Sequence, residues 1–324
     1  MNSVLRIAGL INYLFLSFFG FGQFPPAANL AGTTAIHKDS SIIKSWATAV
    51  HEFTPGFEDI ALGGALVSHG DSTEALGLAE GNSSDVVSLG DAGEIVLTFL
   101  YPIRNGSGPD FAVFENSFSH DYLELAHVEV STDGFTFVRL PSISQVQTIT
   151  QTGSFGSTQT QSIHNLAGKY IQAYGTPFDL EDILDSTGIN LDSINYVKII
   201  DVVGSIDPAY ASYDSQGTII NEPYPSAFAS GGFDLDAVAV INENNGSVSL
   251  NTLNDNFNVY PNPSKGIVYV SSYTGVYHLV DMRGNVVSSG FVKLNESIDF
   301  GDQVSRGIYV LKLENESIRL MINP

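Results

Sequence analysis

Short runs of β-branched and aromatic residues, separated by turn residues, dominate the middle of this sequence. Two of them flank Asp133 and Gly134, a pair that favours a tight hairpin because glycine accepts positive φ. Six such runs are found, at 94–99, 110–116, 125–132, 136–140, 196–203 and 233–241. Short strands joined by turns predict an all-β sandwich. One helical stretch, DLEDILD (179–185), is also expected, since its first turn is acidic.

The charge balance divides the chain in two. Residues 24–256 hold 6 Lys and Arg against 29 Asp and Glu, a net charge of −23, whereas residues 257–324 hold 6 of each kind. So abrupt a change indicates an acidic passenger domain at 24–240 and a neutral domain at 257–324, joined by an Asn- and Ser-rich linker at 241–256. The acidic balance excludes nucleic acid as a partner, because phosphate binding needs clustered cations.

The first 23 residues have the pattern of a secretory signal peptide. Arg6 precedes an apolar stretch at 7–21, and small or polar residues follow up to Gln23. A bilayer-spanning helix needs about 20 apolar residues, so this stretch is too short to be a membrane anchor. We expect cleavage near Gln23 and a secreted mature chain without a transmembrane segment.

The residues that would mark an enzyme are not prominent. Cysteine is absent, which excludes disulfides, zinc–thiolate sites and a thiol nucleophile. No GxSxG, HExxH or phosphate-loop motif is present. Glu115 and Glu129 are candidates for a glycosidase pair, with ordinary rim or ion-binding acids as the alternative. His127 is expected to be a satisfied structural histidine, with a catalytic base as the alternative. We predict that the protein is not an enzyme.

The last 68 residues predict a small sandwich of about seven short strands. They resemble the type A C-terminal sorting domain of the type IX secretion system, on the motifs YPNP (260–263), DMRG (281–284) and GIYVL (307–311). The resemblance implies an immunoglobulin-like fold and interaction with the type IX secretion machinery. It also implies display on the surface of a Gram-negative bacterium, with attachment to lipopolysaccharide.

The passenger resembles galactose-binding-like jelly rolls of the discoidin kind. The resemblance depends on SLGD (88–91), VEVSTDGFTFVRL (128–140) and YVKIIDV (196–202), which follow one another in that order. The passenger is also similar to a recurrent group of secreted bacterial surface proteins that carry GPDFAVFEN (108–116) and GGFDLDAVAV (231–240). The first resemblance implies a sugar-binding sandwich, and the second implies fold and location only.

Aromatic residues and prolines are dense in the segment 205–233, which lacks strand periodicity. We expect Tyr210, Tyr213 and Tyr224 to form an exposed platform that stacks on a sugar ring, unless these rings fill a small core. The predicted function is a surface-displayed binding module for a glycan. The alternatives are a structural or adhesive surface protein, a carbohydrate-active enzyme and a surface accessory of cobalamin uptake.

A calcium site is predicted from the strand FDLDAVAVI (233–241). Strict alternation places Asp234 and Asp236 on the same face as Val238, so two like charges meet at a core face. A hard cation between carboxylates relieves that repulsion and would stabilise the loops beside a ligand site. The predicted ligands of this structural calcium are Asp110, Glu115, Asp201, Asp234 and Asp236. The alternative is that these acids lie in solvent at the rim.

Overall fold

The computed structural model describes residues 24–244, 259–271, 273–294, 296–301, 304–313 and 316–323. The predicted signal peptide and residues 245–256 of the predicted linker lie outside these ranges. The chain divides into two compact units, Met1–Asn244 and Asn245–Pro324. Residues 241–244 pack with the first unit, where the Asn244 N–H donates to the Pro102 carbonyl at 2.7 Å.

The first unit is built from short strands. Its described strands are β1 (Ile36–His37), β2 (Ser45–Thr54), β3 (Val87–Ser88), β4 (Glu94–Ile103), β5 (Phe111–Glu115), β6 (Ala126–Ser131), β7 (Val138–Arg139), β8 (Ile143–Ser144), β9 (Ile163–His164), β10 (Tyr174–Phe178), β11 (Ile194–Asp201) and β12 (Asp234–Val240). Three 3-10 turns join them, at Ser72–Ala75, Thr160–Ser162 and Leu180–Ile183. No helix in the described part of the chain is long and apolar enough to cross a membrane.

One curled antiparallel sheet holds most of these strands, in the order β1-β10-β5-β12-β2-β4-β11-β6-β7, with β3 paired to β12. One buried core joins residues from distant strands of that order, such as Val113 of β5 and Val130 of β6. The sheet therefore folds over itself, and its two halves enclose the core as a β-sandwich. Phe111 and Phe178 stack inside it with ring centroids 5.3 Å apart.

The predicted strand runs are confirmed as strands of this all-β unit. The Asp133-Gly134 turn joins β6 to β7, with Gly134 at φ 79°. The Asp133 carboxylate accepts the N–H groups of Phe135 and Thr136. The expected helix at 179–185 is only a 3-10 turn, Leu180–Ile183, capped by Asp179.

A β-bulge in β12 changes the predicted alternation. Leu235 pairs with Glu115 and Ala237 with Phe114, so one extra residue is inserted in β12 between these two pairs. Val238 consequently joins Leu235 in the main core, whereas Ala237 faces a second, smaller core. The prediction that Asp234 and Asp236 share a face with Val238 is therefore wrong.

The second unit is a small β-sandwich of its own. Its described strands are β13 (Val259–Tyr260), β14 (Ile267–Val270), β15 (Gly275–Val280), β16 (Val286–Val292), β17 (Ser297–Asp299), β18 (Gly307–Leu313) and β19 (Glu316–Ile322). They form the sheets β13-β14-β17 and β16-β15-β18-β19. One core joins Val268 of the first sheet to Leu279 and Leu311 of the second. A turn at Arg283-Gly284-Asn285 links β15 to β16, with Gly284 at φ 90°.

Candidate functional site

The three predicted platform tyrosines do not share one exposed face. Tyr213 is 43% exposed, but Tyr224 is only 9% exposed. The Tyr224 hydroxyl donates to Asp59 Oδ1 at 3.1 Å, and burial raises the Tyr224 pKa above its ordinary value. Tyr210 is half-buried. Tyr224 is therefore buried against the first unit, with its hydroxyl on Asp59, instead of presenting its ring to a ligand.

A neutral groove of 780 Å³ lies beside the β8–β9 pair, and we call it the glutamine groove. Its lining residues are Ile143, Ser144, Gln145, Val146, Gln147, Thr148, Ile149, Gln159, Gln161, Ser162, Gln216 and Thr218. None of these side chains is charged. The segment 205–233 contributes Gln216 and Thr218, which a short bridge between Tyr213 and Ile219 holds in a turn.

The Gln147 side chain shapes one wall of the glutamine groove. Its Oε1 accepts the N–H groups of Ile149 and Thr150, each at 2.9 Å. Its Nε2 donates to the Thr150 carbonyl at 2.7 Å. These bonds fix the loop that carries Ile149, whose side chain is 91% exposed. The groove therefore combines a fixed loop, an exposed aliphatic side chain and uncharged hydrogen-bonding groups.

A second cavity, of 510 Å³, is mainly apolar, and we call it the proline cavity. Phe24 stacks on His164 in its wall, with ring centroids 4.9 Å apart. Lys169 lines it and is only 3% exposed; its Nζ donates to the Ile163 carbonyl at 2.7 Å. Burial lowers the pKa of Lys169 to about 8. Thr176 Oγ1, also in the wall, is buried and has no hydrogen-bond partner among the described residues.

Six buried carboxylates gather at one end of the first unit. We call them the carboxylate cluster: Asp91, Glu115, Glu124, Asp201, Glu222 and Asp234, each between 1 and 8% exposed. β5 ends at Glu115, β11 ends at Asp201 and β12 begins at Asp234. Antiparallel pairing brings these strand ends together, because Leu235 pairs with Glu115. The Phe233 N–H donates to Asp201 Oδ1 at 2.7 Å, which ties β12 to β11.

Backbone N–H groups and two polar side chains donate hydrogen bonds to some of the cluster carboxylates. The Leu125 N–H donates to Glu222 Oε2 at 2.6 Å, and the Ser117 N–H donates to Glu115 Oε2 at 2.8 Å. Asp234 accepts the Ser88 hydroxyl and the Asn116 amide. Glu115 Oε1 is buried and has no hydrogen-bond partner among the described residues.

The surroundings of the carboxylate cluster disfavour the charged form of its carboxyl groups. Burial, followed by repulsion from Glu124, raises the pKa of Glu115 well above its ordinary value. Burial and then repulsion from Asp201 raise the pKa of Glu222 in the same direction. Burial also raises the pKa of Asp91 and of Asp234, each to about 6. None of the ion pairs found in the described residues involves a cluster carboxylate.

The predicted calcium ligands divide between this cluster and other places. Glu115, Asp201 and Asp234 belong to the cluster. Asp110 lies at the other end of β5, where the Leu180 and Gly106 N–H groups donate to it at 2.8 Å. Asp236 accepts two backbone N–H groups at 2.9 Å, from residues 80 and 81. No three His, Asp or Glu side chains of the described residues already stand in positions that hold a metal ion.

The remaining candidate residues have structural surroundings. Glu129 pairs with Arg139 across the β6–β7 hairpin, with Oε1 and Nη2 2.8 Å apart. His127 is buried, and burial lowers its pKa to about 3. Neither ring nitrogen of His127 has a hydrogen-bond partner among the described residues. His127 is therefore not the satisfied histidine that we expected.

Residues 258–322 match a family model described as a secretion system C-terminal sorting domain. The match covers the second unit and confirms the type IX sorting domain predicted from the sequence motifs. The chain thus carries the sorting tail of a secreted, cell-surface-associated bacterial protein, and this tail is the part that interacts with the type IX secretion machinery.

The comparison with solved structures gives distant similarities to the chain. No curated protein matches the chain. Two solved structures of a β-glucuronidase from Ruminococcus gnavus, one in complex with uronic isofagomine, share 12% identity with it; both cover 72% of this chain and 35% of the enzyme, at TM-scores of 0.19 and 0.18. A Faecalibacterium prausnitzii β-glucuronidase shares 11% identity over 87% of this chain and 46% of the enzyme, at a TM-score of 0.19. The chain spans less than half of the length of these enzymes.

Proposed function

We propose that the first unit is a binding module displayed on the cell surface, and that its ligand is a neutral glycan. The glutamine groove carries this proposal, because its lining offers amide and hydroxyl groups and no charge. A sugar hydroxyl both donates and accepts hydrogen bonds, and a glutamine amide supplies both an acceptor oxygen and donor N–H groups. Ligand sites of this kind combine apolar contact with a few placed polar groups.

The charge of the unit favours a neutral ligand over an acidic one. Residues 24–256 carry a net charge of −23, and such a field disfavours the approach of an anionic polymer. The uncharged groove lets a neutral polysaccharide bind without the burial of a charged side chain. The resemblance of the passenger to galactose-binding-like modules supports the same ligand class.

We propose binding and not catalysis. Glycoside hydrolysis needs two carboxyl groups on either side of the scissile bond. Among the described residues, no carboxylate lines the glutamine groove. The proline cavity does have Asp179 and Asp182 in its wall, but it is not the groove that we propose for the glycan. The groove therefore supplies recognition groups without a paired acid and base.

A glycan array probed with the purified chain tests this function. We expect signal on neutral polysaccharides, and calorimetry on the best hit then gives the affinity. Gln159→Ala and Gln216→Ala each remove an amide that lines the groove, and each is expected to weaken binding about fivefold, since a hydrogen bond contributes about 1 kcal/mol.

Gln172→Ala is the matched control. The Gln172 Oε1 accepts the Ser83 hydroxyl outside the groove, so this variant should bind like the parent chain. An array without signal contradicts the proposal and favours the structural or adhesive alternative. A preference for acidic glycans also contradicts it.

We further propose that the signal peptide is removed near Gln23 and that the sorted protein becomes attached to lipopolysaccharide. The sorting tail and the apolar leader support this route. The intact mass of the surface-released chain identifies its first residue, and a lipopolysaccharide ladder on a gel identifies the attachment. A single sharp band at the mass of the unmodified chain contradicts attachment.

A further inference from the structure

The carboxylate cluster presents a charge problem that the described residues do not solve. Its six members are between 1 and 8% exposed, and no Lys or Arg of the described residues forms an ion pair with them. The loss of hydration costs several kcal/mol for each isolated charge. Two outcomes relieve this cost: the carboxyl groups hold protons, or a cation lies among them.

The Oε1 atom of Glu115 indicates that the cluster is more than a group of neighbouring acids. Glu115 Oε2 accepts the Ser117 N–H, whereas Oε1 of the same carboxyl group is buried and finds no hydrogen-bond partner in the part of the chain that the structure describes. A buried polar atom without a partner is rare in folded proteins and calls for a specific explanation, such as a bound ion. The carboxylates of Glu124 and Asp234 are near enough to repel Glu115.

From the unpartnered Glu115 Oε1, and from the Glu124 and Asp234 carboxylates beside it, we infer that a calcium ion binds at this end of the sandwich. The donor set is all oxygen, which suits a hard cation and not zinc or copper. Magnesium requires near-ideal octahedral geometry and dehydrates reluctantly, so it is seldom held by a site made mainly of protein oxygens. Calcium accepts 6–8 oxygens in irregular positions, including backbone carbonyls.

The shell of this ion is not provided by side chains alone. No three acidic or histidine side chains of the described residues stand in coordinating positions. Beyond the carboxylates of Glu115, Glu124 and Asp234, the ion would need further oxygen ligands, such as backbone carbonyls or water. Extracellular calcium modules of this kind bind with Kd values of about 10⁻⁴–10⁻³ M, which suits a protein exported from the cell.

Metal analysis of the wild-type chain is the first test. The chain is treated with chelator and then dialysed against 2 mM calcium chloride, a concentration on the order of the expected Kd or above it. We expect about 0.7–1 calcium per chain above the level of the dialysis buffer, by mass spectrometry of metals. We also expect the melting temperature of the first unit to rise by about 5 °C from chelator to 10 mM calcium, with a smaller rise in magnesium. Coincident melting curves in calcium and chelator would overturn the inference.

Glu115→Gln is the decisive variant, because it keeps the size of the side chain and removes its charge. We expect it to be folded without calcium, since it relieves repulsion from Glu124, and to lose the calcium-dependent rise in melting temperature. Glu129→Gln is the control, since Glu129 lies on the β6–β7 hairpin with Arg139, and it should keep the full rise. A Glu115→Gln chain that retains the calcium response overturns the site. If this variant does not fold, the calcium content of the wild-type chain is the deciding measurement.

Discussion

Lys169 is a buried cation without an acidic ion-pair partner among the described residues, and we expect its replacement by methionine to stabilise the first unit near pH 7. The Lys169 side chain is 3% exposed, and burial alone lowers its pKa from 10.5 to about 8. Methionine keeps the length of the side chain and fits the apolar wall of the proline cavity. The variant therefore removes a charge that folding has to dehydrate.

The pKa gives the size of the effect. One pKa unit corresponds to about 1.4 kcal/mol, so the charged Lys169 costs the folded state about 3 kcal/mol at pH 7. The variant also removes the bond from Nζ to the Ile163 carbonyl, which contributes about 1 kcal/mol. The net gain of about 2 kcal/mol corresponds to a rise of about 4–8 °C in melting temperature.

The pH dependence has a definite sign. The pKa of Lys169 is lower in the folded chain than in the unfolded chain, so the unfolded chain binds more protons between pH 8 and 10.5. The free energy of unfolding of the wild-type chain therefore increases as the pH rises through that window. At pH 10 the cost of Lys169 falls to about 1 kcal/mol. The advantage of Lys169→Met should therefore disappear there.

Trp46 fluorescence follows the melting of the first unit alone, because Trp46 is the single tryptophan of the chain and lies 5.3 Å from the Phe114 ring. Lys44→Met, at an exposed lysine, is the control and should leave the curve unchanged. An advantage of Lys169→Met that is the same at pH 7 and pH 10 would show that packing and not charge is responsible. A lower melting temperature at pH 7 would refute the reasoning.

Two further predictions concern Tyr224 and the sorting tail. Tyr224→Phe removes the hydroxyl that donates to Asp59 and should lower the free energy of unfolding, measured in urea, by about 1.5 kcal/mol. Tyr213→Ala, at an exposed ring, should change it by less than about 0.5 kcal/mol. Equal effects of the two variants would contradict the burial of Tyr224. Deletion of residues 258–322 should leave the first unit folded, since the two units are separately compact, but retain the chain in the periplasm. The truncated chain at the cell surface in normal amount would contradict the sorting role.

The fold class was predictable because most strands keep an alternating or continuously apolar pattern. β2 (Ser45–Thr54) was not predicted, although it lies between β12 and β4 in the sheet. Its pairing with β4 has two register shifts, and most of its side chains are exposed or half-buried. Bulges of this kind interrupt the period of two on which strand prediction depends. The same cause, one extra residue in β12, moved Val238 to the other face.

The candidate sites were less predictable than the fold. Glu115, Asp201 and Asp234 were selected because each stands at the end of an apolar strand. Glu124 and Glu222 had no such signal, since the first precedes β6 by two residues and the second lies in a segment without periodicity. Only the curl of the sheet brings these strand ends and loops together. The glutamine groove likewise joins residues more than fifty positions apart, which no local pattern indicates.

The carboxylate cluster also changes what the net charge means. A formal charge of −23 for residues 24–256 treats every acid as solvated, whereas the six cluster acids are buried. If protons or a cation neutralise all six, the remaining charge is about −17, which still disfavours polyanions. The exclusion of nucleic acid therefore does not depend on the state of the cluster. The preference for a neutral glycan follows from the uncharged groove and this remaining charge, and the calcium inference follows from the buried acids of the cluster.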